Sequence, residues 1–462
     1  MRVARGAAMI RPPSDCAADC VLNNEGTNRN TRPTIVPRPA HNVSRDEISR
    51  SALKVLYRLH KSGFQAFLVG GGVRDALLGL HPKDFDIATD AHPEEIRALF
   101  SNCRLIGRRF RLAHIRFGRE IIEVATFRAA TDGTESHADV EHDQEGRILR
   151  DNVYGTVDED VWRRDFTCNA LYYNIADFSI WDYTGGVRDI ESRRLVLIGD
   201  PDRRMREDPV RMLRAIRFAA KLDFNIDPSV QDAIRKHRDL LANVPPARLF
   251  DEFLKMFQAG HAAKTFELLR QYELFELLFP ETDAELDRDD AFLRFTRAAL
   301  ENTDKRVASG ESVTPMFLLG VFLWAPARRR AEDLCASDNL PAAQALSLAS
   351  FEIAGLQQVR ISMPRRFTTP MREMLAMQPR FEVIRGKRAL RLLEHKRFRA
   401  AYDFMMLRAK CGDFDEELAQ FWTDVQRQAA DERRRSFDID HAPKSNSRRR
   451  PRRRRKPRQG QS

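Results

Sequence analysis

The sequence lacks the features of membrane-spanning, secreted and zinc-binding proteins. Among its 462 residues, no run approaches the ~18 consecutive apolar residues of a membrane span. The N-terminus has no continuous apolar core like that of a secretory signal. The six cysteines form no CxxC pair, and no histidine pair at zinc spacing accompanies them. These absences predict a cytoplasmic protein with free thiols and no integral membrane segment.

Acidic residues are missing from the last nineteen positions, 444–462, where ten residues are Lys or Arg. The whole chain has a net charge of +11, so without this segment it is almost neutral. A block of like charges repels itself, and basic tails often contact nucleic acid. We therefore predict a disordered Arg-rich tail over residues 436–462 that contacts nucleic acid. A purely solubilising tail is the alternative.

The pattern along the chain predicts an α+β fold followed by helices. Residues 1–43 are rich in Pro, Asn, Arg and Thr and lack periodicity, which is typical of a flexible extension. Short apolar runs and glycine turns over residues 44–205 predict a domain with a small mixed sheet. Beyond about residue 205, helical periodicity predicts a chain that is helical throughout to about residue 430.

The segment Asp84-Phe85-Asp86 is the first candidate for a catalytic centre. Alternate side chains of an extended strand face the same side, so the two carboxylates would project together. Like charges at this distance repel each other and favour a bound cation, and hard oxygen ligands suit Mg²⁺. A DxD pattern alone is weak evidence, because most copies are exposed turns.

Three consecutive glycines, at residues 70–72, follow a short apolar segment that reads as a buried strand. Backbone N–H groups of such a turn and of the following helix can hold a triphosphate. The turn is not a Walker A loop, because no Lys-Ser/Thr pair follows the glycines. The structural alternative is a tight strand-to-helix connection.

Four sequence blocks together resemble the tRNA nucleotidyltransferase and bacterial poly(A) polymerase family of the polymerase-β-like superfamily. They are LVGGGVRD with KDFD at residues 68–75 and 83–86, RRDFTCNAL at 163–171, DYTGGVRD at 182–189 and EDPVRMLRAIRF at 207–218. The last three are similar to the family's ribose-recognition motif, flexible hinge and nucleotide-selecting helix. The resemblance implies a nucleotidyltransferase head over residues 44–205, a neck with the nucleotide-selecting helix over 206–270, and a helical body over 271–435.

One block separates two branches of this family. Residues 105–115, LIGRRFRLAHI, are similar to the segment that marks bacterial poly(A) polymerases against CCA-adding enzymes, and Arg108 and Arg109 are expected to contact phosphate or primer. The resemblance implies template-independent addition of AMP from ATP to RNA 3′ ends by two-metal phosphoryl transfer, with release of pyrophosphate, in RNA turnover. The expected partners are mRNA, regulatory RNA and decay intermediates, and the expected state is a monomer. The alternatives are a CCA-adding tRNA nucleotidyltransferase and an RNA-binding protein with an inactive site.

The resemblance makes Asp84 and Asp86 ligands of Mg²⁺ or Mn²⁺ and leaves the third carboxylate open. Glu123, between apolar residues of a predicted strand, fits a third metal ligand, although it could instead face solvent. Asp165 is expected to be a catalytic residue, and its alternative role is a salt bridge with Arg163 or Arg164. We keep both acids as candidates.

The substrate ATP is expected to contact nine residues: Gly71, Gly72, Arg74, Asp75, Arg164, Asn169, Asp208, Arg211 and Arg217. The resemblance assigns Arg164 to the ribose, with support from Asn169, and a 2′-OH contact would favour ATP over dATP. Asp208 and Arg211, three residues apart on one helix face, would bind the base edge. The structural alternative makes Asp208 a helix cap before Pro209 and the arginines a solvated face.

Overall fold

The computed structural model describes residues 32–107, 111–129, 140–142, 148–151 and 153–439. Arg108 and Arg109, predicted to contact phosphate or primer, therefore lie outside the described residues, as does the predicted basic tail beyond residue 439. The chain divides into two compact units, Met1–Leu278 and Phe279–Ser462. The finer division into head, neck and body remains a prediction.

The first unit is built on a mixed sheet, as predicted. The strands of the described chain are β1 Thr34–Val36, β2 Ala66–Val69, β3 Asp86–Thr89, β4 Cys103–Ile106, β5 Leu112–Phe117, β6 Glu120–Thr126, β7 Val140–His142, β8 Ile148–Asp151, β9 Leu171–Asn174, β10 Ile180–Asp182, β11 Arg194–Leu195 and β12 Asn225–Ile226. Eight of them form one sheet in the order β1-β10-β9-β2-β3-β6-β5-β4. Within it β3 and β6 run parallel, and their neighbours pair antiparallel. The pairs β7–β8 and β11–β12 stand apart from it.

Helices supply the rest of both units, which confirms the predicted fold class. Those of the first unit are α1 Arg50–Lys61, α2 Gly71–Leu77, α3 Pro93–Leu99, α4 Val157–Arg163, α5 Gly186–Glu191, α6 Pro201–Glu207, α7 Val210–Leu222, α8 Pro228–His237, α9 Pro246–Phe257, α10 Ala262–Gln271 and α11 Phe275–Leu278. Those of the second unit are α12 Pro280–Leu286, α13 Asp290–Ala308, α14 Pro315–Asp338, α15 Ala342–Arg360, α16 Arg365–Ala376, α17 Gly386–Leu390, α18 Phe398–Lys410, α19 Glu416–Val425 and α20 Ala430–Ser436. A search of the described helices for one long and apolar enough to cross a membrane finds none.

The alternation of side chains along β6 shows how the sheet presents a polar group to one face. Ile122 and Val124 are buried, whereas Glu123 between them is exposed. On the same face as Glu123, an apolar cluster that includes Phe67 and Tyr172 packs against α4. The sheet is therefore covered on this face near β9 and β10, and its acidic strand ends remain accessible.

The start of the ordered chain differs from the prediction. Strand β1, within the range 1–43 that was predicted to be flexible, pairs antiparallel with β10 and places Ile35 opposite Trp181. The first long helix, α1, begins at Arg50, although Ser44 followed by two acidic residues is also a typical helix start. Ser44 caps a short 3₁₀ turn, and Ser49 caps α1 by accepting a hydrogen bond from the Ala52 N–H. Two capping serines five residues apart explain the shift.

Candidate active site

Near the start of β3 lie the three predicted metal ligands, Asp84, Asp86 and Glu123. Asp86, the first residue of β3, is in parallel register with Glu123 of β6, so both side chains project from the same face of the sheet. Asp84 lies two residues earlier and is also exposed. Phe85 between the aspartates is buried and anchors the segment to the core. The structure thus brings the three predicted metal ligands to one edge of the sheet.

The environment of Asp86 favours a cation. Loss of hydration raises the pKa of Asp86 to about 6, and the negative charges of Glu123 and Asp84 add to this effect, while Arg164 opposes it. Among the described residues, no three acidic, His or Cys side chains converge closely enough to form a metal centre by themselves. Carboxylate oxygens that repel one another nevertheless suit Mg²⁺ or Mn²⁺, because a divalent cation removes the repulsion. The residues present therefore fit such an ion.

Glu123 has a second neighbour on the adjacent strand. His114 of β5 is its register partner, and His114 Nε2 lies 3.0 Å from Glu123 Oε1. The Glu123 side chain is 48% exposed, so the histidine does not cover it. His114 Nε2 is within ion-pair distance of the carboxylate but makes no hydrogen bond with it, so Glu123 can still accept a ligand.

The glycine turn packs directly against the acidic segment. Gly70 has a positive φ of 70°, and a Cβ there would lie 3.9 Å from Asp86 Oδ2 and 3.8 Å from Arg164 Nη1. A Cβ on Gly72 would lie 3.3 Å from the Asp84 carbonyl oxygen, which is tighter than an ordinary contact. Glycine therefore lets the first turn of α2, whose N–H groups have no partner within the helix, approach the carboxylates. The predicted triphosphate position lies beside the predicted metal ligands.

Arg74 and Asp75 are engaged with the protein. The buried guanidinium of Arg74 donates to Asn169 Oδ1 and, at 2.8 Å, from Nε to Asp75 Oδ1. Asp75 Oδ2 accepts from Lys221 Nζ at 3.1 Å. These contacts join α2 to α7 and to the segment before β9. The three predicted ATP contacts Arg74, Asp75 and Asn169 are thus joined by hydrogen bonds next to the glycine turn, and their contact with ATP stays a prediction.

Arg164 supplies a fixed positive charge beside Asp86. Its Nε donates to the Tyr172 hydroxyl at 2.7 Å and its Nη2 to Asp160 Oδ2 at 3.1 Å, while the Tyr172 hydroxyl donates to the same Asp160 oxygen at 2.6 Å. Burial opposes the charge, but the contacts with Tyr172 and Asp160 outweigh burial and raise the Arg164 pKa. The guanidinium is thus held rigidly before any ligand arrives.

Asp165 has a different partner from the one predicted. Its Oδ2 accepts hydrogen bonds from both Nε, at 2.7 Å, and Nη2 of Arg214. Its Oδ1 accepts a hydrogen bond from the Phe166 N–H at 2.9 Å. Burial would raise the Asp165 pKa, but the ion pair with Arg214 lowers it below the usual value. The ion pair with Arg214 replaces the alternative salt bridge with Arg163 or Arg164, and the catalytic role of Asp165 stays a prediction. Asp165 fixes α7 against the ribose-recognition segment.

The predicted base-edge residues lie at the start of α7. Asp208 Oδ1 accepts the Val210 N–H at 3.2 Å, and its Oδ2 accepts from Arg248 Nη2 of α9 at 2.6 Å. Arg211 Nη1 donates to the Arg204 carbonyl at 2.6 Å and to Glu207 Oε2 at 3.2 Å. The helix begins at Val210 after Pro209, so Asp208 does assist the helix start. It is also held in place by a second helix.

The arginines of α7 are not a solvated face. The Arg211 side chain is only 14% exposed and that of Arg217 only 16%. Burial lowers the pKa of both groups. Arg217 Nε lies 3.5 Å from Glu252 Oε2, which is too long for a well-formed hydrogen bond. These buried cations line the side of α7 that the resemblance assigns to the nucleotide.

Three supporting residues were not predicted from the sequence. Asp160 and Tyr172 hold Arg164, and Arg204 donates from Nη2 to the carbonyls of Arg163 at 3.1 Å and Arg164 at 2.5 Å. The spacing of Asp160 and Arg164, four residues apart, is the one signal that could have indicated their ion pair. Tyr172 and Arg204 reach the site through tertiary packing.

Comparison with known protein families gives three matches along the chain. Residues 66–196 match the family described as "Poly A polymerase head domain". Residues 223–286 match "Probable RNA and SrmB- binding site of polymerase A", and residues 338–457 match "Polymerase A arginine-rich C-terminus". Together the matches cover both units.

Individual relatives agree with these matches. The chain is 46% identical to Poly(A) polymerase I of Salmonella typhi over 435 residues, which is 92% of this chain and 93% of the relative. It is 36% identical to the CCA-adding enzyme of Lactobacillus helveticus over 225 residues, which is 49% of this chain. Among solved structures, the Thermotoga maritima CCA-adding enzyme complexed with tRNA has a TM-score of 0.54 at 20% identity and covers 83% of this chain and 84% of its own. This structural likeness supports the fold alone.

Proposed function

This chain belongs to the bacterial poly(A) polymerase I family, and from that premise we propose how it adds AMP from ATP to RNA 3′ ends without a template. The observation that carries the proposal is the likeness to poly(A) polymerase I along nearly the whole chain, whereas likeness to the CCA-adding sequence stops at about half. The acidic strand ends, the glycine turn and the buried arginines of the first unit supply groups suited to this chemistry.

In the reaction, the oxygen of the RNA 3′-hydroxyl attacks the α-phosphorus of ATP. The new P–O bond adds AMP to the RNA, the bond to the β-phosphate oxygen breaks, pyrophosphate leaves, and the hydroxyl proton passes to solvent. Asp84 and Asp86 would hold Mg²⁺ or Mn²⁺, with Glu123 as the third ligand. When bound, such ions lower the pKa of the attacking hydroxyl and neutralise the charge on the phosphates. Glu123 is favoured over Asp165 because Arg214 and the Phe166 N–H already occupy both Asp165 oxygens.

The nucleotide contacts follow from the same arrangement. The N–H groups of Gly71 and Gly72 face the triphosphate, and Arg164 binds the ribose from a guanidinium that Asp160 and Tyr172 already hold in place. Arg74, Asp75 and Asn169 keep the glycine turn in position.

Protein side chains take the place of a template at the start of α7. Asp208, held by Arg248, and Arg211, held by Glu207, present a fixed acceptor and a fixed donor to the adenine edge. Arg217, with its loose contact to Glu252, completes the nucleotide side of the helix. A rigid acceptor and donor of this kind select one base because the wrong base would place an acceptor opposite the carboxylate or a donor opposite the guanidinium.

We further propose that the enzyme acts as a monomer in the cytoplasm, where ATP and its RNA substrates are found. One chain carries every group that the reaction needs. The RNA substrates are mRNA, regulatory RNA and decay intermediates, whose adenylation promotes turnover. The basic residues of 444–462 would contact RNA or RNA-degradation proteins.

Addition of each NTP separately to a short labelled RNA with Mg²⁺ tests the activity. We expect a long ladder of products with ATP alone on RNA ending in any base, and no product from an Asp84→Ala/Asp86→Ala variant. Addition that stops after CTP and ATP have completed a tRNA end would assign the chain to the CCA-adding branch instead. RNA binding without any incorporation would support an inactive RNA-binding protein.

Removal of residues 444–462 tests the role of the tail. If its ten basic residues neutralise phosphates, the slope of log K against log salt for single-stranded RNA flattens by up to about 7. An unchanged slope would contradict RNA contact by the tail.

A further inference from the structure

A polar pocket of about 360 Å³ lies between α15 and α16 in the second unit, far in sequence from every residue assigned to ATP. Its polar lining comes from α15, from α16 and from the turns that follow them: Ser347, Thr369, Arg372, Glu373, Arg380 and His395. The predicted catalytic residues all belong to the first unit, so the reaction described above leaves this pocket without a role.

The charge around the pocket favours an anion. Its one acid, Glu373, is already matched by two cations, with Lys396 Nζ 3.0 Å from Oε1 and Arg397 Nε 3.3 Å from Oε2. Arg372 and Arg380 have no acidic partner within the described chain. The surrounding segment 360–399 contains twelve Lys or Arg residues against three Glu. The near-neutral net charge of the chain without its tail therefore conceals a strongly basic region.

An exposed aromatic ring stands at the rim of the pocket. Phe351 lies one helical turn beyond Ser347 on α15, and 61% of its surface is exposed. The Arg372 guanidinium carbon lies 5.0 Å from the centre of the ring. Proteins bind single-stranded nucleic acids with exposed rings beside unpaired guanidinium groups, because bases stack on the rings and phosphates contact the cations.

We propose that this pocket binds one nucleotide of single-stranded RNA, with the base stacked on Phe351 and the adjoining phosphates held by Arg372 and Arg380. The hydroxyls of Ser347 and Thr369 face the sugar. Stacking accepts any base, so the pocket binds RNA without reading its sequence. The inference rests on the proposed function in one respect, namely that the enzyme acts on RNA. It adds a second RNA contact, separate from the 3′ end that reacts.

Binding of a labelled 20-nucleotide oligo(A) to the full chain without ATP tests the proposal. Phe351→Ala should weaken binding about tenfold, since loss of one stacked base has an effect of this order. Arg372→Gln/Arg380→Gln should flatten the slope of log K against log salt by about 1.4, because two phosphate contacts are lost. With saturating RNA, kcat should be unchanged in both variants, while KM for RNA rises.

Matched variants distinguish a specific RNA site from a nonspecific effect of removing exposed apolar or charged side chains. Phe351→Trp keeps a stacking ring, should retain the affinity, and should show quenching of its new fluorescence by RNA. Val359→Ala removes an apolar side chain of α15 that is 74% exposed and lies outside the pocket, so it should change nothing. Arg306→Gln/Arg399→Gln removes two charges of the second unit that are already paired with Glu311 and Asp403, so the salt slope should change little.

The outcomes distinguish this proposal from the proposed function. Wild-type affinity in both pocket variants, or equal losses in the matched variants, would overturn the RNA site even if AMP addition is normal. Unchanged RNA affinity with loss of binding to poly-glutamate would assign the pocket to an acidic protein and would also overturn it. Conversely, weakened RNA binding in Phe351→Ala, in a protein that adds no nucleotide to any RNA, would support the pocket and reject the polymerase activity.

Discussion

Asp86 and Asp165 are two aspartates of the same unit, both predicted to be catalytic, and their surroundings are opposite. Asp86 faces Glu123 and Asp84, and its pKa rises to about 6. Asp165 is enclosed by Arg214, Asn169 and the Phe166 N–H, and its pKa falls below the usual value. Two neighbouring acids oppose the charge of Asp86 and Arg164 offsets this effect only in part, whereas the charge of Asp165 is paired directly with Arg214.

The surroundings of Asp86 suit a residue that binds a cation, whereas those of Asp165 suit a residue that stabilises the fold. Repulsion of Asp86 by Glu123 and Asp84 raises the free energy of the folded protein, and a bound cation would relieve that repulsion. The ion pair between Asp165 and Arg214 stabilises the fold without any ligand. Substitution of Asp86 should therefore lower activity more than stability, and substitution of Asp165 should lower stability more than activity.

The largest expected effect is on the rate of AMP addition. Asp84→Asn and Asp86→Asn should each lower kcat by about 10³-fold or more, because a metal ion contributes several kcal/mol to the transition state of phosphoryl transfer. The measurement is a primer-extension rate with saturating ATP and RNA. Asp239→Asn, which changes an aspartate with an 87% exposed side chain in the same unit, should keep the full rate. Activity close to wild type in Asp86→Asn would remove Asp86 from the metal site.

A comparable effect, but on stability, is expected at the other aspartate. Asp165→Asn should lower the free energy of unfolding by about 3–5 kcal/mol, because it leaves the largely buried Arg214 without its partner. Urea denaturation measures the change. Asp165→Leu/Arg214→Leu, which removes both charges, should recover part of the loss. If the Asp165→Asn variant were as stable as wild type but inactive, Asp165 would be a catalytic residue and not a stabilising one.

The pH dependence of stability should distinguish the two acids by sign. The folded pKa of Asp86, about 6, exceeds the unfolded value of about 3.9, so its ionisation reduces stability as pH rises from about 4 to 6. Above that range, Asp86→Asn should be more stable than wild type by up to about 1 kcal/mol, since solvent screens the repulsion. The folded pKa of Asp165 is lowered, so its contribution is present above about pH 4 and is lost as pH falls below it. If Asp86→Asn and Asp165→Asn changed the free energy of unfolding in the same direction above pH 6, the contrast between the two aspartates would be wrong.

The smallest expected effect is the response of stability to Mg²⁺. Millimolar Mg²⁺ without ATP should stabilise the wild-type protein by about 0.5–1 kcal/mol and should stabilise Asp86→Asn less, because a ligand that binds only the folded state shifts the equilibrium by mass action. Asp165→Asn should keep the wild-type increment. The measurement is the shift in melting temperature between EDTA and Mg²⁺.

The sequence predicts most of the site because its acidic residues are local. Asp84 and Asp86 lie two residues apart next to a glycine turn, and the strand period alone places them on one side. The alternating pattern around Glu123 also places it correctly on an exposed face. The parallel register of Glu123 with Asp86 depends on a crossover between strands, and periodicity carries no information about it.

The partners of the charged groups could not be predicted in the same way. Arg214 lies 49 residues from Asp165, and Arg248 lies 40 residues from Asp208, so no local spacing indicates either pair. The alternative role of Asp165, a salt bridge with Arg163 or Arg164, names the wrong arginine because proximity in sequence does not reveal which arginine packs against the carboxylate. Helix packing, which decides the true partners, emerges only when α6, α7 and α9 have assembled.

Strand β1 has a consequence for how the protein is made. Its partner β10 is about 150 residues further along the chain, and a ribosome adds roughly 5–20 residues per second. The nascent segment therefore waits for roughly ten to thirty seconds with an unpaired edge that includes the exposed Ile35. Pro33 and Pro37 flank the strand, and proline has no N–H to extend a ladder. The two prolines therefore shorten the edge on which another chain could pair while β10 is being synthesised.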